Sequence, residues 1–176
     1  MVDSDRENRQ TVGHRLWVLN PNMKKVGFGY AESKDGTPYT AMKVFENGVP
    51  FDEQYRPPFI SWPSEGAFLA HLFSSFISEM SRESLPWSVS LSPTLYAPLT
   101  DRVEVKLKRV RDQKTWTFSK KKADGYYNHS AIQKWTTGET IIFQPPYRSI
   151  YPLAKSETFE VLIEGLQFTD GRPTSI

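Results

Sequence analysis

The chain contains no cysteine. That excludes disulfide cross-links, thiolate metal sites and cysteine nucleophiles together. It has no apolar run near the roughly 20 residues that a membrane-spanning helix needs. The first ten residues, MVDSDRENRQ, are polar and hold no apolar stretch of the kind a secretory signal carries. Neither sign of charge dominates: 22 Lys and Arg against 20 Asp and Glu leave +2. This is too little for a general affinity for phosphate backbones, so nucleic acid is not an expected partner. Histidine is scarce as well. His14, His71 and His129 are the whole set, and no two of them stand at the i, i+4 spacing of a helical metal pair. Neither a G-x-S-x-G elbow, a Walker A loop nor a dinucleotide fingerprint is present. The carboxylate pairs Asp3/Asp5 and Asp52/Glu53 fall in loop-like segments, without the burial that general-acid work requires.

What is present suits a small folded protein. The 176 residues are 38% hydrophobic, enough for one ordinary domain or two small ones. The 14% aromatic share and 13 prolines favour short strands and turns over helices. Met1 to Thr11 is charged and reads as irregular. HRLWVL, from His14 to Leu19, reads as a short apolar turn or helix stopped by Asn20-Pro21. KVGFGYAES, KDGTP and YTAMKVF then spell a hairpin. Val26, Phe28 and Tyr30 share one face, and Gly27 and Gly29 share the other. Alternating glycines imply close packing on their face, by a helix in preference to a ligand. GVPFDEQYRPPFISWP, residues 48–63, reads as a connecting loop. Ser64 can cap the segment that follows, in which Phe68, Leu69, Leu72, Phe73, Phe76, Ile77 and Met80 recur at helical spacing. This stripe is a core face, although a lipid-binding face would look the same. Phe68, Leu72 and Phe76 are expected to cover the hairpin, because a two-stranded hairpin alone is marginal in water.

After Pro86 the period becomes two. WSVSLS alternates, RVEVKLKRV places Val103, Val105 and Leu107 inward, and TWTFS returns with Trp116 and Phe118 inward. SKKKADG reads as a hairpin tip, and ETIIFQP and TFEVLIEGL supply two more strands. Strands at this spacing suggest a small antiparallel sandwich of immunoglobulin-like type. His71 reads as a residue at the border of an apolar stripe, and His129, in GYYNHS, as a loop residue. Tyr126, Tyr127, Tyr147 and Tyr151 fall in loop-like segments. There they could stack on sugars or meet a partner, or simply pack.

GHRLWVLNPNMKKVGFGYA resembles the CAP superfamily (cysteine-rich secretory proteins, antigen 5 and pathogenesis-related proteins). The likeness is to its bacterial secreted branch, where GHR, a short apolar helix, LNP and a glycine-alternating strand occur in that order. YTAMKVF is similar to the next strand of that family's sheet. SDRENRQTVGHR and ISWPSEGAF, followed by PWSVSLSP and KTWTF, extend the resemblance along the chain. It implies an α+β fold: residues 1–83 as a partial CAP-like β-hairpin with one amphipathic helix, and residues 84–176 as the sandwich. It also implies a cleft in which two histidines and two acids can hold a divalent, zinc-like metal, with His14 in the place of the second histidine. The other three members would lie upstream, and Asp3, Asp5 and Glu7 match none of them. The chain is therefore expected to be part of a longer exported protein. A further strand would follow TFEVLIEGLQFTDGRPTSI, and without it a sheet edge is left open to pairing. The function expected is a non-enzymatic extracellular or cell-surface module that binds a glycan, lipid or protein. The alternative is a metal-assisted hydrolase of cell-wall or peptide substrates that uses His14.

Overall fold

The computed structural model describes residues 6–21, 23, 25–44, 57–67, 85–131, 138–150 and 156–176. Period-two alternation sets most of its architecture, which is predominantly antiparallel β with a few short helices. The helices are α1 (Arg6–Thr11), α2 (Gly13–Val18) and α3 (Tyr147–Ile150). The strands are β1 (Gly27–Glu32), β2 (Pro38–Lys43), β3 (Phe59–Trp62), β4 (Trp87–Leu91), β5 (Glu104–Arg109), β6 (Thr115–Ser119) and β7 (Tyr126–Ser130). They continue with β8 (Thr140–Gln144), β9 (Phe159–Glu164), β10 (Leu166–Gln167) and β11 (Pro173–Thr174). No helix among the described residues is long and apolar enough to cross a membrane.

Two sheets, ordered β3-β4-β8-β7 and β6-β5-β9, share one core. Val89, Leu91, Ile141 and Phe143 come from the first; Val105, Leu107, Trp116, Phe118 and Ile163 come from the second. As the alternation predicts, β5 buries Val105 and Leu107 while Glu104, Lys106 and Lys108 face outward. Lys106 meets Glu164 at 2.6 Å and Lys108 meets Glu160 at 3.2 Å on that outer face. SKKKADG is the predicted turn: the Ser119 amide donates to the Lys122 carbonyl at 2.7 Å. At Gly165 (φ +77°) a Cβ would lie 2.2 Å from the Arg102 carbonyl oxygen, so the backbone crossing there has room only for hydrogen.

The outer face of the four-stranded sheet is covered by the N-terminal corner. Val12 joins α1 to α2 in the left-handed region (φ 48°), an unfavourable place for a β-branched residue. It is held there by complete burial against Leu16 and Ile142, with Tyr126 alongside. Arg15, 2% exposed, donates to the Pro86 carbonyl at 2.7 Å and to Ser88 Oγ at 3.2 Å, and stacks on Trp62 at 3.8 Å. The Tyr126 hydroxyl and Asn128 Nδ2 both donate to the Gln10 carbonyl, at 3.1 and 3.0 Å.

Two expectations change here. Arg6–Thr11, expected to be irregular, is helical. Part of the expected 48–63 loop is strand β3, four residues paired in register with β4 from Phe59↔Leu91 to Trp62↔Ser88. β3 and β4, on either side of Ser84, pair in one sheet, and α2 docks on that same sheet. The expected helix over 64–80, with Phe68, Leu72, Phe76 and His71, lies mostly outside the described residues.

Candidate binding surface

The hairpin β1–β2 is made by its turn. Gly36 takes φ +81°, and the Ser33 hydroxyl bonds the Asp35 carboxylate. Thr37 N–H donates to Ser33 Oγ at 3.1 Å, and the Ser33 amide donates to the Thr37 carbonyl at 3.0 Å. The Ser33 hydroxyl, with the Thr37 amide, holds the Asp35 carboxyl below its ordinary range. From this turn six residue pairs zip from Glu32↔Pro38 to Gly27↔Lys43. The Tyr30 hydroxyl donates to Glu32 at 2.8 Å, which raises its own pKa.

The hairpin forms a sheet by itself among the described residues, and both faces meet solvent. Phe28 is 78% exposed, Tyr30 66% and Val26 41%, on the face they share with Met42. Tyr39 is exposed on the glycine face. Among the described residues nothing packs closely over Gly27 and Gly29. Both glycines are exposed, and among the described residues a Cβ on either would meet its cross-strand neighbour, Lys43 or Ala41, at 3.8 Å. The apolar and aromatic side chains that protein cores consume are here displayed.

A polar cluster lies at one end of the sandwich. The Tyr127 hydroxyl shares a short hydrogen bond with His129 Nε2, and their rings meet edge to face at 5.1 Å. Burial drives the Tyr127 pKa strongly upward, with the Asp101 charge adding to it. Burial, aided by the Lys120 cation, holds the His129 imidazole below its ordinary value, so the ring favours its neutral form. Asp101 pairs with Lys120 at 2.6 Å. His129 is therefore a half-buried strand residue on β7, not a loop residue.

The sequence-predicted residues do not converge. His14 is exposed on α2. Tyr126 and Tyr127 belong to β7, not to a loop, and point to opposite faces: Tyr126 to the N-terminal corner, Tyr127 to the core. Tyr147 opens α3, half-buried, and Tyr151 lies outside the described residues. Among the described residues no three His, Asp or Glu side chains gather into a group that could hold a metal. Of the tetrad that the CAP resemblance implies, His14 is the one member assigned to this chain. Sequence reasoning named Phe28 and Tyr30 as one face of a hairpin but assigned that face no binding role. Their alternation opposite glycine was the available signal. Compared with protein-family models, curated proteins and solved structures, the chain matches none.

Proposed function

We propose that this chain is a non-enzymatic binding module of an extracellular or cell-surface protein, and that its ligand is a protein with an apolar surface. In this reading its first part is CAP-like and its second immunoglobulin-like. The observation that carries the proposal is the exposed row Val26, Phe28 and Tyr30 on a hairpin whose geometry is fixed by its own turn. Contiguous apolar surface of this kind marks interaction sites, and aromatic anchors with methionine are enriched where proteins meet. Tyr126 and Tyr127 are engaged in the fold, which leaves the hairpin the better candidate for contact. The CAP resemblance supports the extracellular assignment.

A photo-crosslinking phenylalanine analogue at position 28, in the protein expressed in its source cells, tests this. The expected result is a discrete protein adduct from position 28, none from a control at Lys122, and no loss of the adduct on His14→Ala. Adducts to lipid or glycan, or none, would overturn it. Loss of the adduct on His14→Ala would return attention to a site built around that histidine.

A further inference from the structure

One half-buried hydroxyl reaches from the first sheet to the second. Tyr127, on β7 of the four-stranded sheet, packs against the common core. Its hydroxyl makes the short hydrogen bond to His129 Nε2 and lies 3.5 Å from the carbonyl oxygen of Val103. Val103 is 1% exposed and leads directly into β5 of the three-stranded sheet. A phenol has one proton to donate, and burial keeps it on the oxygen. With the neutral ring as the near acceptor, that proton goes to Nε2, and the imidazole carries its own proton on Nδ1. The Val103 carbonyl is then the longer and weaker choice. Charged groups among the described residues face the ring from three elements. Asp101, ahead of β5, and Glu139, just before β8, attract a proton to it, and Lys120, on the turn between β6 and β7, opposes. Lys120 holds Asp101 at 2.6 Å with Lys121 adding its charge, and Glu139 accepts from the Leu99 amide at 2.6 Å. Two carboxylates therefore stand near enough to balance one charge on the ring.

We propose that Tyr127, His129 and Val103 form a proton-operated switch between the two sheets. When Nε2 of His129 takes a proton from solvent, its lone pair is used and Nε2–H becomes a donor. The Tyr127 oxygen accepts from it, and the hydroxyl proton turns to the Val103 carbonyl. No covalent bond of the tyrosine breaks: one proton enters at the ring, one hydrogen bond reverses and a second tightens. An O–H···O bond closes to about 2.7–2.8 Å, so the link to Val103 shortens by several tenths of an ångström and draws the entry of β5 toward β7. With the ring neutral, that link is slack. Acid thus costs the sandwich stability by burying a charge, yet tightens one bond between its sheets. The switch shares no residue with the hairpin surface and does not depend on it.

The test is nuclear magnetic resonance on the full chain, isotope-labelled in its histidine rings and backbone carbonyls and titrated from about pH 8 to about pH 4. Above its midpoint the His129 ring should carry its proton on Nδ1 alone. The Val103 carbonyl resonance should step at the pH where His129 titrates, and the step should vanish in Tyr127→Phe and in His129→Asn. A hydrogen bond to an ionised group is about twice as strong as a neutral one, so a hydroxyl that can reverse favours the charged ring. Tyr127→Phe should therefore lower the His129 midpoint by about half a pH unit or more. A hydroxyl that served only the neutral ring would give the opposite sign. A raised or unmoved midpoint, a neutral ring protonated on Nε2, no step at Val103, or a step that survives His129→Asn would each overturn the proposal. If Tyr127→Phe does not fold, the Val103 step compared with His129→Asn still decides it.

Discussion

Two antiparallel ladders in this protein have six residue pairs each, β5 with β9 and β1 with β2. Their surroundings are opposite. Along β5 every second side chain is buried, with Val105 and Leu107 at 0% exposure, and the ladder is one layer of a closed core. Along β1 all six residues are exposed, and the ladder stands on its turn. Backbone hydrogen bonds exchange partners with water and add little net stability each, so the same ladder is firm or marginal according to what its side chains bury. The first ladder is architecture. The second carries its aromatic side chains, Phe28, Tyr30 and Tyr39, on its surface.

The comparison can be broken hardest at Phe118, which is fully buried against Phe143 with ring centroids 5.4 Å apart. Phe118→Ala should destabilise the sandwich by about 3–5 kcal/mol, read as a loss of denaturant midpoint. Leu16→Ala tests whether the N-terminal corner belongs to the same unit. A loss of about 2–4 kcal/mol in the single unfolding transition is expected, whereas an unchanged transition would mean the corner contributes nothing to the sandwich. Gly165→Ala forces a Cβ into a backbone crossing at positive φ and should remove about 2–3 kcal/mol.

The pH dependence separates the two regions at smaller amplitude. Burial lowers the His129 pKa below the ordinary 6.5, so the unfolded chain binds the proton first. The stability contributed by neutral His129 is complete above about 6.5 and is lost as the pH falls toward the folded value. Asp112, held down to about 2 by the Arg109 guanidinium, acts lower. Its contribution is full above 3.8 and is lost as the pH falls through about 2. An acid titration followed by tryptophan fluorescence should show the sandwich weakening first near the His129 range, and His129→Asn should remove that limb. The smallest effect belongs to the hairpin: Phe28→Ala should shift the midpoint by less than about 0.5 kcal/mol. A large loss there would mean that Phe28 is covered.

Much of this was legible in the sequence. RVEVKLKRV and TWTFS give their inward residues by simple alternation, and KDGTP announces its turn. What was hidden was hidden for physical reasons. β3 is a four-residue strand next to prolines, and its partner lies beyond Ser84. Its pattern is not alternating because α2 covers the face that would otherwise meet water. Ser88 and Ser90 look like surface residues, yet both are buried, one receiving Arg15 and the other bonded to Thr140 at 2.8 Å. Tyr126 and Tyr127 stand in a run that looks like a loop, and only the register with β8 shows that they face opposite ways. His14 could be matched to a motif, but a motif does not specify neighbours.

The hydrogen bond from Asn128 to Gln10 joins residues 118 positions apart, and that from Arg15 to Pro86 spans 71. The floor on which α2 rests is assembled from β4, β7 and β8 and does not exist until those strands have paired. Contacts of such long sequence separation form late, because the loops they close must be ordered first. The corner precedes in sequence the sheet it rests on, yet settles after it. Until residue 144 completes that surface, Val12, Leu16 and the guanidinium of Arg15 remain in water.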